Sequence, residues 1–96
     1  MYIGNFRLVM TCGACPEQYE VFLGEDLVGY LRLRHGGFRA DYVFEDQDEQ
    51  VYYANPKGDG IFEQEERFEY LSNAIAALEK KHFNFQFNKQ AGYYYD

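Results

Sequence analysis

The stretch from Leu27 to Glu45 constrains the fold most, because it has the pattern of a β-hairpin around Gly36 and Gly37. A two-residue Gly-Gly link favours the primed turns, whose positive φ angles match the twist of two paired strands. A turn at these two glycines predicts that His35 pairs with Phe38, and the pairing of the two strands follows from that.

This predicted register separates apolar and charged side chains onto opposite faces of the hairpin. The apolar pairs are Leu33 with Ala40 and Leu31 with Tyr42, and the polar face pairs Arg34 with Arg39, Arg32 with Asp41 and Tyr30 with Val43. A slip of one residue would place leucines beside arginines, so the pattern specifies the register strongly. We expect the leucine face to meet the core and the arginine face to meet solvent.

Other segments show either strand or helix periodicity. Alternation of period two predicts strands at residues 2–11, 18–23, 51–53 and 83–88. From residue 61 to 82 the period is near 3.6, which predicts a helix with Asp59 as its N-cap. Its apolar stripe would contain Ile61, Phe68, Leu71, Ile75, Leu78 and His82.

These elements predict a single α+β domain over residues 1–96. Its architecture would be a mostly antiparallel sheet of five or six strands with one helix packed on one face, in the order βββββαβ. Antiparallel meanders commonly leave their second face in water. With 96 residues, ten tyrosines and nine phenylalanines, the chain is long enough to bury a core without disulfides or metals.

The negative charge of the chain is concentrated in its middle third. The formal net charge is −7, and residues 41–69 contain ten acidic residues against Lys57 and Arg67. This balance argues against direct binding of nucleic acid through a basic footprint. It is typical either of a solvated face that maintains solubility or of a surface that meets a basic partner.

The chain has no amino-terminal basic region followed by an apolar run, and no apolar stretch approaches the roughly 20 residues of a membrane helix. We therefore expect a cytoplasmic protein that does not bind a membrane.

Two cysteines, Cys12 and Cys15, have the spacing of a thioredoxin-like motif or of half a zinc site. A redox thiol needs a following helix that lowers its pKa, but the residues after Pro16 have a strand pattern. A structural zinc site needs four ligands, and only His35 and His82 remain as further candidates. The cysteines are expected to be reduced residues of a turn, with metal binding or redox chemistry as alternatives, and no cofactor is predicted.

Arginines facing each other across the hairpin are the unusual feature of its polar face, because like charges on opposite strands are destabilising. A local network with Asp41, Glu20 or Glu45 would offset this cost. Alternatively, Arg32, Arg34 and Arg39 form an anion-binding site, since guanidinium groups bind phosphates and carboxylates in a bidentate manner.

Enzymatic activity is not indicated by the sequence. The chain contains no GxxxxGK, GxSxG or HExxH motif, and its one serine, Ser72, lies inside the predicted helix. Its carboxylates lie in predicted turns and on an exposed helix face, where no pocket would perturb their pKa values.

The acidic third provides the main functional hypothesis. Carboxylates three or four residues apart on a helix stand about 5 to 6 Å apart, close to the interval between successive phosphates of a nucleic-acid strand. The candidate partner-binding surface contains Asp46, Asp48, Glu49, Asp59, Glu63, Glu65, Glu66 and Glu69. These carboxylates would occupy the basic channel of a nucleic-acid-binding enzyme.

In its size, acidity, aromatic content and lack of a catalytic set, the chain resembles the small inhibitor proteins of phages and mobile elements, such as anti-CRISPR and anti-restriction proteins. The resemblance implies a non-enzymatic protein that inhibits a host nucleic-acid-processing enzyme by protein–protein contact. The alternatives are a regulatory or accessory module that binds an anionic ligand or partner through the three arginines, and a metal or redox module built on the two cysteines.

Overall fold

The computed structural model describes residues 1–12 and 16–90. In these residues six β-strands precede one α-helix: β1 Tyr2–Ile3, β2 Phe6–Cys12, β3 Glu17–Leu23, β4 Asp26–Arg34, β5 Gly37–Tyr42, β6 Glu49–Ala54 and α1 Gln64–Gln90. The strands form one antiparallel sheet in chain order, β1 to β6. The predicted α+β class, with an antiparallel sheet and one helix on one face, is confirmed.

The core lies between α1 and one face of the sheet. Alternate residues of β2 to β5 point into it, and α1 packs on β4, β5 and β6. Its fully buried members include Val21, Leu31, Leu33, Phe38, Ala40, Tyr42, Leu71 and Leu78. Burial of each aliphatic or aromatic side chain contributes about 1.5 to 3 kcal/mol, so this layer accounts for much of the stability. As predicted, Leu31 and Leu33 are buried and the arginines of the hairpin face solvent.

The predicted strand at residues 83–88 is wrong, because α1 continues without interruption to Gln90. The element order is therefore ββββββα. Alternating Phe83, Phe85 and Phe87 suggested a strand, but only Phe85 is buried, while the other two are exposed on the helix. No glycine or proline occurs between Gly60 and Gly92, so nothing in the sequence stops the helix.

The start of the helix also differs from the prediction. α1 begins at Gln64, so Asp59 is not its N-cap. The backbone carbonyl of Glu63 accepts hydrogen bonds from the amides of Glu66 and Arg67, which places Glu63 at the N-cap position. Two residues of the predicted apolar stripe, Ile61 and Phe68, are exposed rather than buried.

The hairpin has the predicted faces but not the predicted turn. His35 and Gly36 are the two turn residues, with φ of 53° and 74°, so Arg34 pairs with Gly37 and Leu33 pairs with Phe38. The predicted pairs of Arg34 with Arg39 and of Arg32 with Asp41 are therefore wrong.

In the observed register Arg32 is opposite Arg39 and Leu31 is opposite Ala40. Moving the turn by one residue changes each pairing by two positions, and an even shift keeps every side chain on its face.

The second glycine has a different role from the first. Gly37 lies under the ring of Tyr53 on the neighbouring strand β6, where a Cβ atom would overlap the tyrosine hydroxyl. Gly36, by contrast, has open space around it and is needed for its positive φ.

Candidate functional site

The face of the sheet that points away from α1 carries all the arginines of the chain except Arg67. Arg7 on β2 has its guanidinium carbon 4.7 Å from the centroid of the Phe22 ring, a cation–π contact. Arg32, Arg34 and Arg39 follow on β4 and β5. This open face is therefore the basic side of an acidic protein.

Arg32 and Arg39 are neighbours across the hairpin, and each donates hydrogen bonds to another side chain. Arg32 Nε donates to Gln18 Oε1 at 2.8 Å, and Arg39 donates to both carboxylate oxygens of Asp41, with its Nη2 2.7 Å from Oδ1. Arg32 and Arg39 line a hollow of about 420 Å³, together with Tyr30.

The two carboxylates of Glu20 and Asp41 line the same hollow, so its charge is balanced. Arg34 lies elsewhere, in a hollow of about 350 Å³ next to His35 and Asp59. The structure thus brings together two of the three predicted anion-binding residues.

The eight acidic residues of the predicted partner-binding surface fall into two groups. Asp46, Asp48 and Glu49 lie after β5, where Lys81 Nζ is 3.0 Å from Glu49 Oε1. The others precede α1 or lie in its first two turns: Asp59, Glu63, Glu65, Glu66 and Glu69. Because Lys81 follows Glu69 by twelve residues, about 18 Å of helix separates the two groups. The eight carboxylates do not form one continuous row.

Glu66 is a structural residue and not part of an exposed surface. Its side chain is 9% exposed, and its carboxylate accepts hydrogen bonds from the backbone amides of Lys57, Gly58 and Glu63 at 2.9, 2.8 and 3.0 Å. The bond to Glu63 is half of a capping box, in which the third helical residue reaches back to the N-cap amide.

Burial alone would raise the pKa of Glu66, but these three amides outweigh it and hold that pKa below its ordinary value. The expectation that Glu66 lies on an exposed helix face is therefore wrong, because the loop before α1 needs its carboxylate.

The remaining carboxylates at this end of α1 are close together and exposed. Glu63, Glu65 and Glu69 form what we call the helix-end acidic surface. Three effects raise the pKa of Glu63. The largest is a hydrogen bond with the Glu65 side chain, and the smaller ones are desolvation and repulsion by the charges of Glu65 and Glu66. Beside them, Lys57 and Tyr70 line a hollow of about 440 Å³ that also contains Glu65 and Glu69. Asp59 is exposed but lies in the hollow of Arg34.

A buried carboxylate that sequence reasoning missed ties β3 to the helix. Glu17 is 1% exposed and accepts hydrogen bonds from Arg67 Nε at 2.8 Å, Tyr19 Oη at 2.5 Å and the Phe62 amide at 3.0 Å. Burial alone would raise the pKa of Glu17, but the hydrogen bonds and the charge of Arg67 hold it below its ordinary value.

One signal for this residue was present in the sequence. Glu17 is in phase with Tyr19 and Val21, so it belongs to the inward face of its strand. Its partner, Arg67, is 50 residues away and could not be found from the local pattern.

A second buried polar pair lies at the other end of the core. Tyr42 Oη is 2.6 Å from His82 Nδ1, and the rings of Phe44 and His82 meet edge to face with centroids 4.8 Å apart. Burial lowers the pKa of His82, although Asp26 and Glu45 partly oppose this shift. The neutral imidazole is therefore a structural element of the core.

Metal binding is not indicated in the part of the chain that the structure describes. No group of three or more histidine, cysteine, aspartate or glutamate side chains is arranged there to hold a metal ion. The prediction for the pair Cys12 and Cys15 stays a prediction, because Cys15 lies outside the described residues. Among the described helices, none is long and apolar enough to cross a membrane.

Comparisons with known proteins do not identify this chain. No protein-family model, curated protein or solved structure matches it. Its function must therefore be inferred from its own surfaces.

Proposed function

We propose that this protein is a non-enzymatic inhibitor that binds the basic nucleic-acid channel of a host nucleic-acid-processing enzyme in the cytoplasm. The contact would be made by the helix-end acidic surface, Glu63, Glu65 and Glu69, and not by all eight acidic residues of the middle third. Glu66 is excluded because its carboxylate is occupied inside the protein.

The exposed carboxylates at one end of α1 carry this proposal. Glu63, Glu65 and Glu69 are all exposed, and Glu65 and Glu69 line one hollow. Glu65 also helps to raise the pKa of Glu63, so the charges of these two side chains disfavour each other. A cationic partner would relieve the repulsion, so the arrangement favours binding to a basic surface.

The neighbouring groups suit such a contact. Glu65 and Glu69 are one helical turn apart, which places their carboxylates about 5 to 6 Å from each other. Tyr70 is half-buried in the adjoining hollow, where an amphipathic ring adds contact area at low entropic cost. The partner would meet a small acidic patch with one aromatic side chain at its border.

Neutral isosteres provide a sharp test, because they remove the charge and keep the shape. The test variant is Glu63→Gln/Glu65→Gln/Glu69→Gln. Its control removes three exposed acidic charges elsewhere, as Glu25→Gln/Asp26→Asn/Glu79→Gln. The assay is inhibition of DNA cleavage by a panel of RNA-guided nucleases and restriction enzymes, at low and at physiological salt.

We expect the unmodified protein to inhibit at least one enzyme of the panel, and less so as salt rises. Exposed charges contribute about 0.2 to 1 kcal/mol each, so the test variant should inhibit roughly tenfold less well. The control variant should inhibit normally. Absence of inhibition across the panel, or equal inhibition by both variants, contradicts the proposal.

A second candidate function is binding of an anionic ligand in the hollow of Arg32 and Arg39. The observation that favours it is their juxtaposition on neighbouring strands, which is unfavourable for like charges. Arg32 uses only Nε in its hydrogen bond to Gln18, so its two terminal nitrogens can bind a phosphate or carboxylate. Glu20 and Asp41 in the same hollow would oppose this binding.

The double variant Arg32→Gln/Arg39→Gln separates the two candidates. Under the acidic proposal it should inhibit the enzyme normally. Under the second candidate it should lose binding of a short single-stranded DNA or of inorganic phosphate in titration calorimetry, while the three glutamate changes have no effect.

A further inference from the structure

The open face of the sheet carries a compact group of polar side chains around Tyr30. They form two neighbouring rows across β3, β4 and β5, one of Gln18, Arg32 and Arg39 and the other of Glu20, Tyr30 and Asp41. Adjacent strands lie about 4.8 Å apart, and residues two positions apart on one strand lie roughly 7 Å apart. All six side chains line the hollow of about 420 Å³. The register therefore places two guanidinium groups in one row and two carboxylates in the next.

The charges of this hollow cancel. Arg32 and Arg39 contribute two positive charges, and Glu20 and Asp41 contribute two negative ones. An anion drawn to the guanidinium row would be repelled by the carboxylate row, and a cation would meet the reverse. The negative charge of Asp48 also acts on Arg39 from outside the hollow, which opposes an anion further. The arrangement therefore favours a ligand without net charge.

Hydrogen-bond donors and acceptors both remain unused in the hollow. Arg32 uses only Nε, in its bond to Gln18 Oε1, so its two terminal nitrogens and the Gln18 amide nitrogen can still donate. In the part of the chain that the structure describes, the Glu20 carboxylate and the Tyr30 hydroxyl make no hydrogen bond. A ligand whose groups both donate and accept can therefore use both rows.

We propose that this hollow binds a neutral sugar, either a monosaccharide or part of a neutral oligosaccharide. Each sugar hydroxyl can donate to a carboxylate and accept from a guanidinium. The carbon–hydrogen face of a sugar ring is apolar and packs on aromatic rings, and Tyr30 is 43% exposed in the middle of its row. The volume of the hollow lies within the range of roughly 300 to 1,000 Å³ that is usual for small-molecule sites.

This inference goes beyond the proposed function and does not rest on it, because the helix-end acidic surface lies on α1 and the hollow lies on the sheet face that points away from α1. A neutral sugar would occupy the hollow that the second candidate function assigns to an anion. A nucleotide fits less well than a sugar, because Glu20 and Asp41 would repel its phosphate. The two ligand classes therefore give opposite results when a carboxylate of the hollow is neutralised.

Titration of the isotope-labelled protein, followed by nuclear magnetic resonance, measures weak binding residue by residue. The neutral probes are maltotriose, cellotriose, lactose and N,N′-diacetylchitobiose, and the anionic probes are inorganic phosphate and thymidine monophosphate. At least one sugar should shift the amide signals of residues 18–20, 30–32 and 39–41, with a dissociation constant of about 0.1 to 10 mM. Added salt should leave this constant unchanged, because the ligand carries no charge.

Two variants test which groups hold the ligand. Tyr30→Ala removes the exposed ring and should weaken sugar binding about tenfold. Its control is Tyr2→Ala, which removes an exposed tyrosine outside the hollow and should bind normally. Glu20→Gln keeps the shape of the side chain but removes its charge. Hydrogen bonds to charged groups are the stronger ones, so this variant should bind sugar about fivefold more weakly, whereas it should bind phosphate more tightly.

Absence of shifts in these strands with every sugar overturns the proposal, and so does equal binding by Tyr30→Ala and its control. Binding of the anionic probes alone, weakened by salt and strengthened by Glu20→Gln, would support the second candidate function and refute the sugar site. The amide signals away from the hollow should match those of the parent in each variant, which shows that it is folded. The inhibition assay uses other residues, so its result is independent of this one.

Discussion

Replacement of Glu17 by glutamine should be the most destabilising single polar substitution at the contact between the sheet and the helix. The carboxylate is 1% exposed and joins β3 to Arg67 on α1 and to the Phe62 amide in the loop before it. A glutamine has nearly the same shape, but it exchanges one acceptor oxygen for an NH₂ donor. That donor would face another donor, because every group around Glu17 donates to it.

The expected loss of stability follows from the unpaired charge of Arg67 that the substitution leaves behind. Removal of one partner from a buried ion pair costs about 3 to 5 kcal/mol, because the other charge is left uncompensated. Arg67 has a side-chain exposure of 29%, so water can reach part of its guanidinium, and the lower end of that range applies. We therefore expect a loss of about 3 kcal/mol in the free energy of unfolding, a large fraction of the stability of a small domain.

Urea unfolding at neutral pH, followed by circular dichroism, measures this loss. With a typical slope of about 1.5 kcal/mol per molar urea, the midpoint should fall by about 2 M. The companion variant Arg67→Met should lose a similar amount, because it leaves Glu17 charged and unpaired. The double variant Glu17→Met/Arg67→Met should lose much less than the sum, since neither charge remains buried.

Acid titration provides an independent check of the same contact. The pKa of Glu17 is lowered in the folded state, so its contribution is present above the unfolded value of about 4.5 and is lost as pH falls through the folded value. The unmodified protein should lose stability in that range, and Glu17→Gln should lose less. A loss below about 1 kcal/mol for Glu17→Gln at neutral pH, or additive effects in the double variant, would refute the reasoning.

Three further outcomes are expected. Gly58→Ala should lower the free energy of unfolding by about 2 to 3 kcal/mol in urea titration, because a Cβ there would overlap backbone atoms of the loop that Glu66 holds. Since burial lowers the pKa of His82 below 6.5, stability should fall by up to about 1.4 kcal/mol per unit as pH decreases below about 6.5. His82→Phe should not show this decrease. Cys12→Ser/Cys15→Ser should keep the circular dichroism and melting temperature of the parent, and elemental analysis should find no stoichiometric zinc in either protein.

Local patterns in the sequence determined most of the fold. The alternation of Leu31 and Leu33 with charged residues specified which hairpin face is buried, because a strand has a period of two and water excludes leucine. The period of about 3.6 residues over 61–82 indicated a helix, because its apolar residues recur on one side. These inferences hold because they depend on neighbours in the sequence.

Only the tertiary structure decided the position of the hairpin turn. Both glycines can adopt positive φ, so local rules cannot choose between a turn at Gly36-Gly37 and one at His35-Gly36. In the observed register the hydroxyl end of Tyr53 on β6 lies over Gly37, where a Cβ atom would overlap it. This contact spans 16 positions in the sequence, and no local pattern contains it.

Contacts between residues far apart in the sequence also explain the error at residues 83–88 and the missed structural roles of Glu17 and Glu66. Phe85 fits an alternating strand and also fits the helical stripe of Leu78 and His82, and its burial against the sheet decides between them. Glu17 and Glu66 are residue types common on surfaces, but most of their partners lie 8 to 50 positions away. A carboxylate becomes structural only when the fold brings donors to it and removes water. The sequence therefore indicated most of the elements, and the tertiary structure determined which charges remain available for a partner.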